Sequence, residues 1–179
     1  MQLSRFPQYQ VGADTEIPSF QSKDRDLNEF LMSDAKEYLA AKMAVTYIVV
    51  DNTASKTVAY YSLLNDKVTF DPEKRSFWNR LNRHIPNKKR RKDYPAVKIG
   101  RLAVSGDYAG LGIGREIVDM IKFMFSHGNR TGCRFVTVDA YAEAVNFYRK
   151  CGFEFLTDRD QSARTRAMYF DLLNFQIVD

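Results

Sequence analysis

Gly110, Gly112 and Gly114 stand at alternate positions in KIGRLAVSGDYAGLGIGR, the stretch from Lys98 to Arg115, between an apolar run and an amphipathic one. Glycine removes the Cβ atom, so backbone N–H groups at the start of a helix can approach an anion closely, and this spacing predicts a cradle for a phosphate-bearing ligand. Two other glycine motifs are excluded. A nucleotide-hydrolase loop needs Gly-Lys followed by Ser or Thr, and a dinucleotide fingerprint needs a third glycine at the position held by Arg115. A second block, FVTVDAYAEAVNFYRKCGFEF from Phe135 to Phe155, carries an aromatic pair, Phe147 and Tyr148, shortly before Cys151, Gly152 and Phe153. A tyrosine hydroxyl can donate a proton to a departing group, and the plain alternative is a half-buried aromatic on an amphipathic helix.

The elements that must position these residues are legible around them. Val97, Ile99, Leu102, Ala103 and Val104 predict a strand over 97–104. Ile113, Ile117, Ile121 and Met124 recur at three- or four-residue spacing, widened by Val118 and Phe125, and predict the helix after the turn. In the second block the pattern predicts a strand near 134–139, a short helix over 143–150, Gly152 as its C-terminal cap and a strand over 153–156. Upstream, residues 24–39 predict a helix capped by Asp24 or Asp26, with Leu27, Phe30, Leu31, Tyr38 and Leu39 on its apolar side. Val45 to Asp51 and Thr57 to Asn65 predict a hairpin, and Arg166 to Leu172 a closing strand.

Together the two blocks closely resemble the signature of the GCN5-related N-acetyltransferases (GNAT). In that family the turn reads Gln or Arg, two residues, Gly, one residue, then Gly or Ala, and the second block ends Phe-Tyr, two or three residues, Gly-Phe. The match is sharp over 97–156, and Ala109 stands where the family has its polar residue. The resemblance implies a mixed α/β fold, with a mostly antiparallel central sheet flanked by helices, in one domain spanning 1–179. It implies acetyl-CoA as the bound ligand, held by Ala109, Gly110, Leu111, Gly112, Ile113, Gly114 and Arg115, and an enzyme that moves its acetyl group to a primary amine. By the same resemblance the backbone of Leu102, Ala103 and Val104 polarises the thioester carbonyl, and Tyr148 protonates the leaving thiolate.

Composition fits this class. The chain has 179 residues, of which 45% are hydrophobic, enough to bury a sizeable core. Met43 to Val50 is the longest mainly apolar run and is strand-sized, so no membrane partner is expected. The N-terminal residues lack the apolar core of a signal peptide, Cys133 and Cys151 lack metal-ligand spacing and read as reduced thiols, and the cytoplasm is the expected compartment.

Charge is concentrated rather than spread. The segment KRSFWNRLNRHIPNKKRRK, Lys74 to Lys92, holds nine of the 27 Lys and Arg and no acid, which leaves 18 basic against 22 acidic residues elsewhere. Its first part predicts a helix with Phe77, Trp78 and Leu81 on the apolar side, and Trp78 reads as core. Arg83, Lys88, Lys89, Arg90, Arg91 and Lys92 are the candidate phosphate contacts, with a solvated loop as the bland alternative.

The acceptor is the open question. A lysine amine has a pKa near 10.4 and an α-amine about 7.7 to 8.0, so neutralising the α-amine costs about 3.4 kcal/mol less. That matters because the predicted strand offers Lys98 and Arg101 where many relatives carry a glutamate base, and the nearest acids are Asp139 and Glu143. Within the family, a toxin branch that acetylates the α-amine of aminoacyl-tRNA has a similar Gly-Arg-Leu-Ala-Val strand, here Gly100 to Val104. That resemblance brings tRNA and an antitoxin as candidate partners, and the family often forms homodimers. A protein or small-molecule amine as acceptor, or a non-catalytic acyl-CoA-binding regulatory domain, stays open on sequence alone.

Overall fold

A computed structural model describes residues 2–69, 78–79, 92–128 and 131–176. Its seven-stranded sheet has the order β1-β2-β3-β4-β5-β7-β6, with β1 Gln8–Gln10, β2 Val45–Asp51, β3 Lys56–Thr69, β4 Asp93–Val104, β5 Phe135–Tyr141, β6 Glu154–Phe155 and β7 Thr165–Asp171. Every strand pair is antiparallel except β4 with β5. The expected fold class is therefore the observed one. Both central strands outgrow their sequence signal, β3 running on to Thr69 and β4 starting at Asp93, because polar residues at their far ends still pair across the hairpin.

Helices cover both faces. Helix α3, Ile113–Ser126, buries Ile113, Ile117, Val118 and Ile121 against Tyr61, Leu63, Val97 and Ile99. The buried stripe departs from the periodicity in one respect: Met124 is exposed, and Lys122 takes the inward place. It can do so because its ammonium is fully provided for. Nζ donates to the Cys151 carbonyl at 2.6 Å and pairs with Asp119 at 3.2 Å, and it lies 4.2 Å from the centre of the Phe170 ring. The short helix α4, Val145–Lys150, follows a 3₁₀ turn at Ala142–Ala144 and packs on the same face. Gly152 ends it with a φ of 83°, as its cap position predicts.

The opposite face is covered by α1, Arg25–Glu29, and α2, Ala35–Ala40, joined through a π-helical turn at Phe30–Asp34. Asp24 caps α1 by accepting from the N–H groups of Asp26 and Leu27. The wide turn adds a residue to the period, so Phe30, Leu31 and Ala35 go inward while Tyr38 turns out to 40% exposure. Sequence periodicity, which assumes one uniform helix, placed Tyr38 inside.

One irregularity in β4 decides which side chains face which helices. Arg101 pairs with Ser62 and Ile99 with Leu63, so Gly100 is an extra residue, a β-bulge. Before it, Val97 and Ile99 face α3; after it, Leu102 packs toward α3, whereas Ala103 joins the α1 and α2 cluster. The bulge shifts the alternation by one and turns Arg101 toward α1. A Cβ here would lie 2.7 Å from Leu64 Cδ2, so a larger residue would require the Leu64 side chain to shift.

Candidate active site

The cleft exists because β4 and β5 pair over three residues only. Ala96, Val97 and Lys98 match Phe135, Val136 and Thr137, and beyond Lys98 the strands part. From Ile99 to Val104 the β5-facing edge of β4 has no strand beside it. The gap opens into a cavity of about 810 Å³ whose lining comes from both faces of the sheet: Leu102, Val138 and Tyr148 with the α3 side, Leu27, Phe30 and Arg101 with the α1 side.

Tyr148 is buried, at 6% exposure, and is wedged edge-on between Phe147 and Phe153 at 5.0 and 5.4 Å between ring centres. Its hydroxyl makes no hydrogen bond among the described residues. Burial pushes the hydroxyl well above the ordinary phenol range, with the neighbouring Cys151 thiol adding to the effect. The group therefore stays protonated at neutral pH, the state a proton donor requires. Lys122, through its bond to the Cys151 carbonyl, ties the end of this helix to α3.

The glycine turn lies beside that helix rather than in the cavity. Gly110 and Gly112 both have φ of 80°, and Gly112 is the N-cap of α3. Arg115 and Glu116 donate to the Gly112 carbonyl, but the N–H groups from Gly110 to Gly114 have no acceptor among the described residues. Five consecutive free amides at a helix start fit a pyrophosphate. A Cβ on Gly114 would lie 3.4 Å from Phe147, in contact with it, so the turn sits directly against the Tyr148 helix. Upstream, Tyr108 anchors the turn through a 2.9 Å bond to Asp51 and an edge contact with Phe6.

The predicted residues are thus placed as follows. Leu102 and Tyr148 share the cavity wall. Ala103 is buried toward α1, Val104 is half-buried near Gly114, and Ala109, Gly110, Leu111, Gly112 and Arg115 are exposed around the turn, with Ile113 and Gly114 turned inward. Arg115 lies 3.9 Å from Asp119, a pairing that leaves it 66% exposed. Arg83, Lys88, Lys89, Arg90 and Arg91 lie outside the described residues. Lys92 is exposed at the start of β4, and Trp78 is buried against Tyr94 at 5.3 Å, core as expected. Of the two acids, Asp139 is engaged by Lys98, and Glu143 is exposed at the cavity lining. Arg101 was noted only as occupying a position where an acid was sought; the glycine before it, interrupting a strand, is the signal for the bulge that aims it.

Residues 80–155 match the family model of the acetyltransferase (GNAT) domain. No curated protein sequence matches the chain. Among solved structures, the AtaTR complex bound with acetyl-CoA is 24% identical with a TM-score of 0.72, covering 94% of each chain. AtaT complexed with acetyl-methionyl-tRNAfMet is 22% identical with a TM-score of 0.71, covering 93% of this chain and 94% of that one. A mutant AtaT toxin bound to the C-terminus of the antitoxin AtaR and acetyl-CoA is 21% identical at the same TM-score, covering 94% of each. No helix among the described residues is long and apolar enough to cross a membrane. The split sheet and the turn of free amides thus lie in a chain that is similar to the acetyltransferase (GNAT) domain over residues 80–155 and shares the fold of the AtaT structures.

Proposed function

We propose that the protein acetylates the α-amine of an aminoacyl-tRNA, with the cofactor on the α3 side of the split sheet and the acceptor entering from the α1 side. What carries the proposal is the cavity that passes between β4 and β5, with the protonated Tyr148 on its wall and access from both faces. Acetyl-CoA supplies an activated acetyl thioester. The amides of Gly110 to Gly114 bind its pyrophosphate, with Arg115 adding charge at the helix start where Ala109 offers none. The open backbone edge at Leu102 to Val104 stabilises negative charge that develops on the carbonyl oxygen. Tyr148 Oη donates a proton to the departing sulfur, and its aromatic walls keep water from competing.

An α-amine acceptor fits a cavity without an unpaired buried carboxylate, because such an amine is already partly neutral near pH 8. The structure of AtaT with acetyl-methionyl-tRNAfMet supports RNA as the carrier of that amine. So does the basic segment from Lys74 to Lys92, whose charge suits phosphates. The test replaces Lys88, Lys89, Arg90, Arg91 and Lys92 with Gln and measures acetylation of charged tRNA across a salt series. Weaker RNA acetylation with a shallower salt dependence is expected. Unchanged activity and salt slope would eliminate RNA docking by this segment, and a mass screen that finds no acetylated aminoacyl-tRNA but an acetylated protein or polyamine would redirect the acceptor.

A further inference from the structure

Arg101 is the one cavity-lining guanidinium aimed by a device in the backbone. The Gly100 bulge turns it onto the α1 face, where its Cζ sits 4.9 Å from the centre of the Phe30 ring. Nη1 donates to the Gly100 carbonyl at 3.0 Å, while Nε is buried and has no hydrogen-bond partner. No carboxylate pairs with it among the described residues. Of the other charges along the cavity, Asp24 caps α1 and Lys98 pairs with Asp139. A buried, unsatisfied N–H costs about 1 to 3 kcal/mol, so a site that keeps one is built to have it filled.

We infer that Arg101 is the specificity-determining residue of the acceptor subsite and binds the carbonyl oxygen that lies three bonds from the nitrogen of an α-amine. This rests on the proposed α-amine acceptor and narrows it. A guanidinium offers a fixed fork of donors and no acceptor, so it takes a carbonyl or carboxylate oxygen and gives nothing to a bare ammonium. An aminoacyl ester or an α-amino amide presents such an oxygen beside its amine. A lysine side chain or a polyamine does not. The wall around Arg101, made of Leu27, Phe30, Tyr38 and Met43, is apolar and aromatic, and suits an acceptor with an apolar side chain. Phe30 flanks the guanidinium face and keeps its in-plane donors directed at the cavity.

The experiment compares phenylalaninamide with phenethylamine, two amines with the same aromatic side chain, of which only the first has the carbonyl. With kcat/KM expressed per neutral amine, so that the lower pKa of the α-amine does not enter, acetylation by the wild-type protein should favour phenylalaninamide by about 10- to 100-fold, the value of a hydrogen bond to a charged group. In Arg101→Met that preference should collapse to within about 3-fold, with acetyl-CoA affinity unchanged. Arg101→Lys, which keeps charge but loses the fork, should recover only part of it. Binding of the two N-acetylated products to the CoA-saturated protein gives a second readout that needs no turnover. Equal treatment of the two compounds by the wild type in both readouts, or a preference that survives in Arg101→Met, would overturn the inference. RNA acetylation persisting beside equal treatment would sink the carbonyl subsite alone; loss of RNA acetylation in every assay with the preference intact would sink the tRNA proposal alone.

Discussion

The two faces of the sheet at the cleft are built by different means. The α3 face holds a contiguous device: a strand, five free amides over Gly110 to Gly114, and a helix, all within about twenty residues, closed by the Tyr148 helix. The α1 face is assembled from distant pieces: Phe30 and Tyr38 from a helix pair bent by a π turn, Ser62 and Leu64 from β3, and Arg101 turned by a bulge. The first is made mainly of backbone, where glycine at fixed positions is the requirement. The second is made of side chains whose direction depends on irregularities in the ladder and helix. Substitutions should therefore act differently on the two: on the α3 face they disturb cofactor binding and proton transfer, and on the α1 face acceptor choice.

The largest expected effect lies at Tyr148. Tyr148→Phe keeps the ring that packs between Phe147 and Phe153 and removes only the hydroxyl, so kcat should fall about 10²- to 10⁴-fold with acetyl-CoA binding intact. Calorimetric titration with acetyl-CoA beside steady-state rates checks this. Undiminished turnover would mean that the proton comes from elsewhere and that Tyr148 serves packing only. Next is the cradle. Gly112→Ala forces a left-handed backbone on a residue with a Cβ, at about 1 to 2 kcal/mol, so the KM for acetyl-CoA should rise roughly 5- to 30-fold while kcat changes little. Leu111→Ala, at an exposed position of the same turn, should move neither.

The same contrast explains what could be foreseen from the residues. Gly112 and Gly152 were legible because their spacing is local and each is dictated by one physical need, a positive φ at a turn or at a cap. The central strands followed from the apolar runs, and the mostly antiparallel sheet from the resemblance to the acetyltransferases. What stayed hidden depends on tertiary pairing. The Gly100 bulge is one residue of register, and it reassigns Arg101, Leu102 and Ala103 between faces. The π turn similarly moved Tyr38 outward, and the carbonyl that lets Lys122 lie inward, on Cys151, is 29 positions away. Lys122 joins α3 to α4, so its loss should be felt as stability first. Lys122→Met leaves the Cys151 carbonyl without its donor, and a destabilisation of about 1 to 3 kcal/mol is expected, read as a Tm lower by roughly 2 to 12 °C.

The smallest effect is in alkaline stability, and the two faces share it. Burial raises the hydroxyls of Tyr148 and Tyr61 on the α3 face and of Tyr60 on the α1 face above the usual tyrosine value, with Arg101 opposing the shift at Tyr60. Below pH 10 these groups are neutral folded or unfolded, so their contribution is complete and the Tm should be level through the neutral range. As pH rises past about 10 the unfolded chain releases those protons while the folded one keeps them, and stability falls with pH. Each Tyr→Phe variant removes one such group and should flatten the decline between pH 9.5 and 11, measured as Tm against pH relative to wild type. At Tyr60 the acids Asp24 and Asp26 act against Arg101 and the shift matches that of Tyr61, so Tyr60→Phe and Tyr61→Phe should flatten the decline by similar amounts. A decline left unchanged by either variant would mean that its hydroxyl ionises alike in the folded and the unfolded chain.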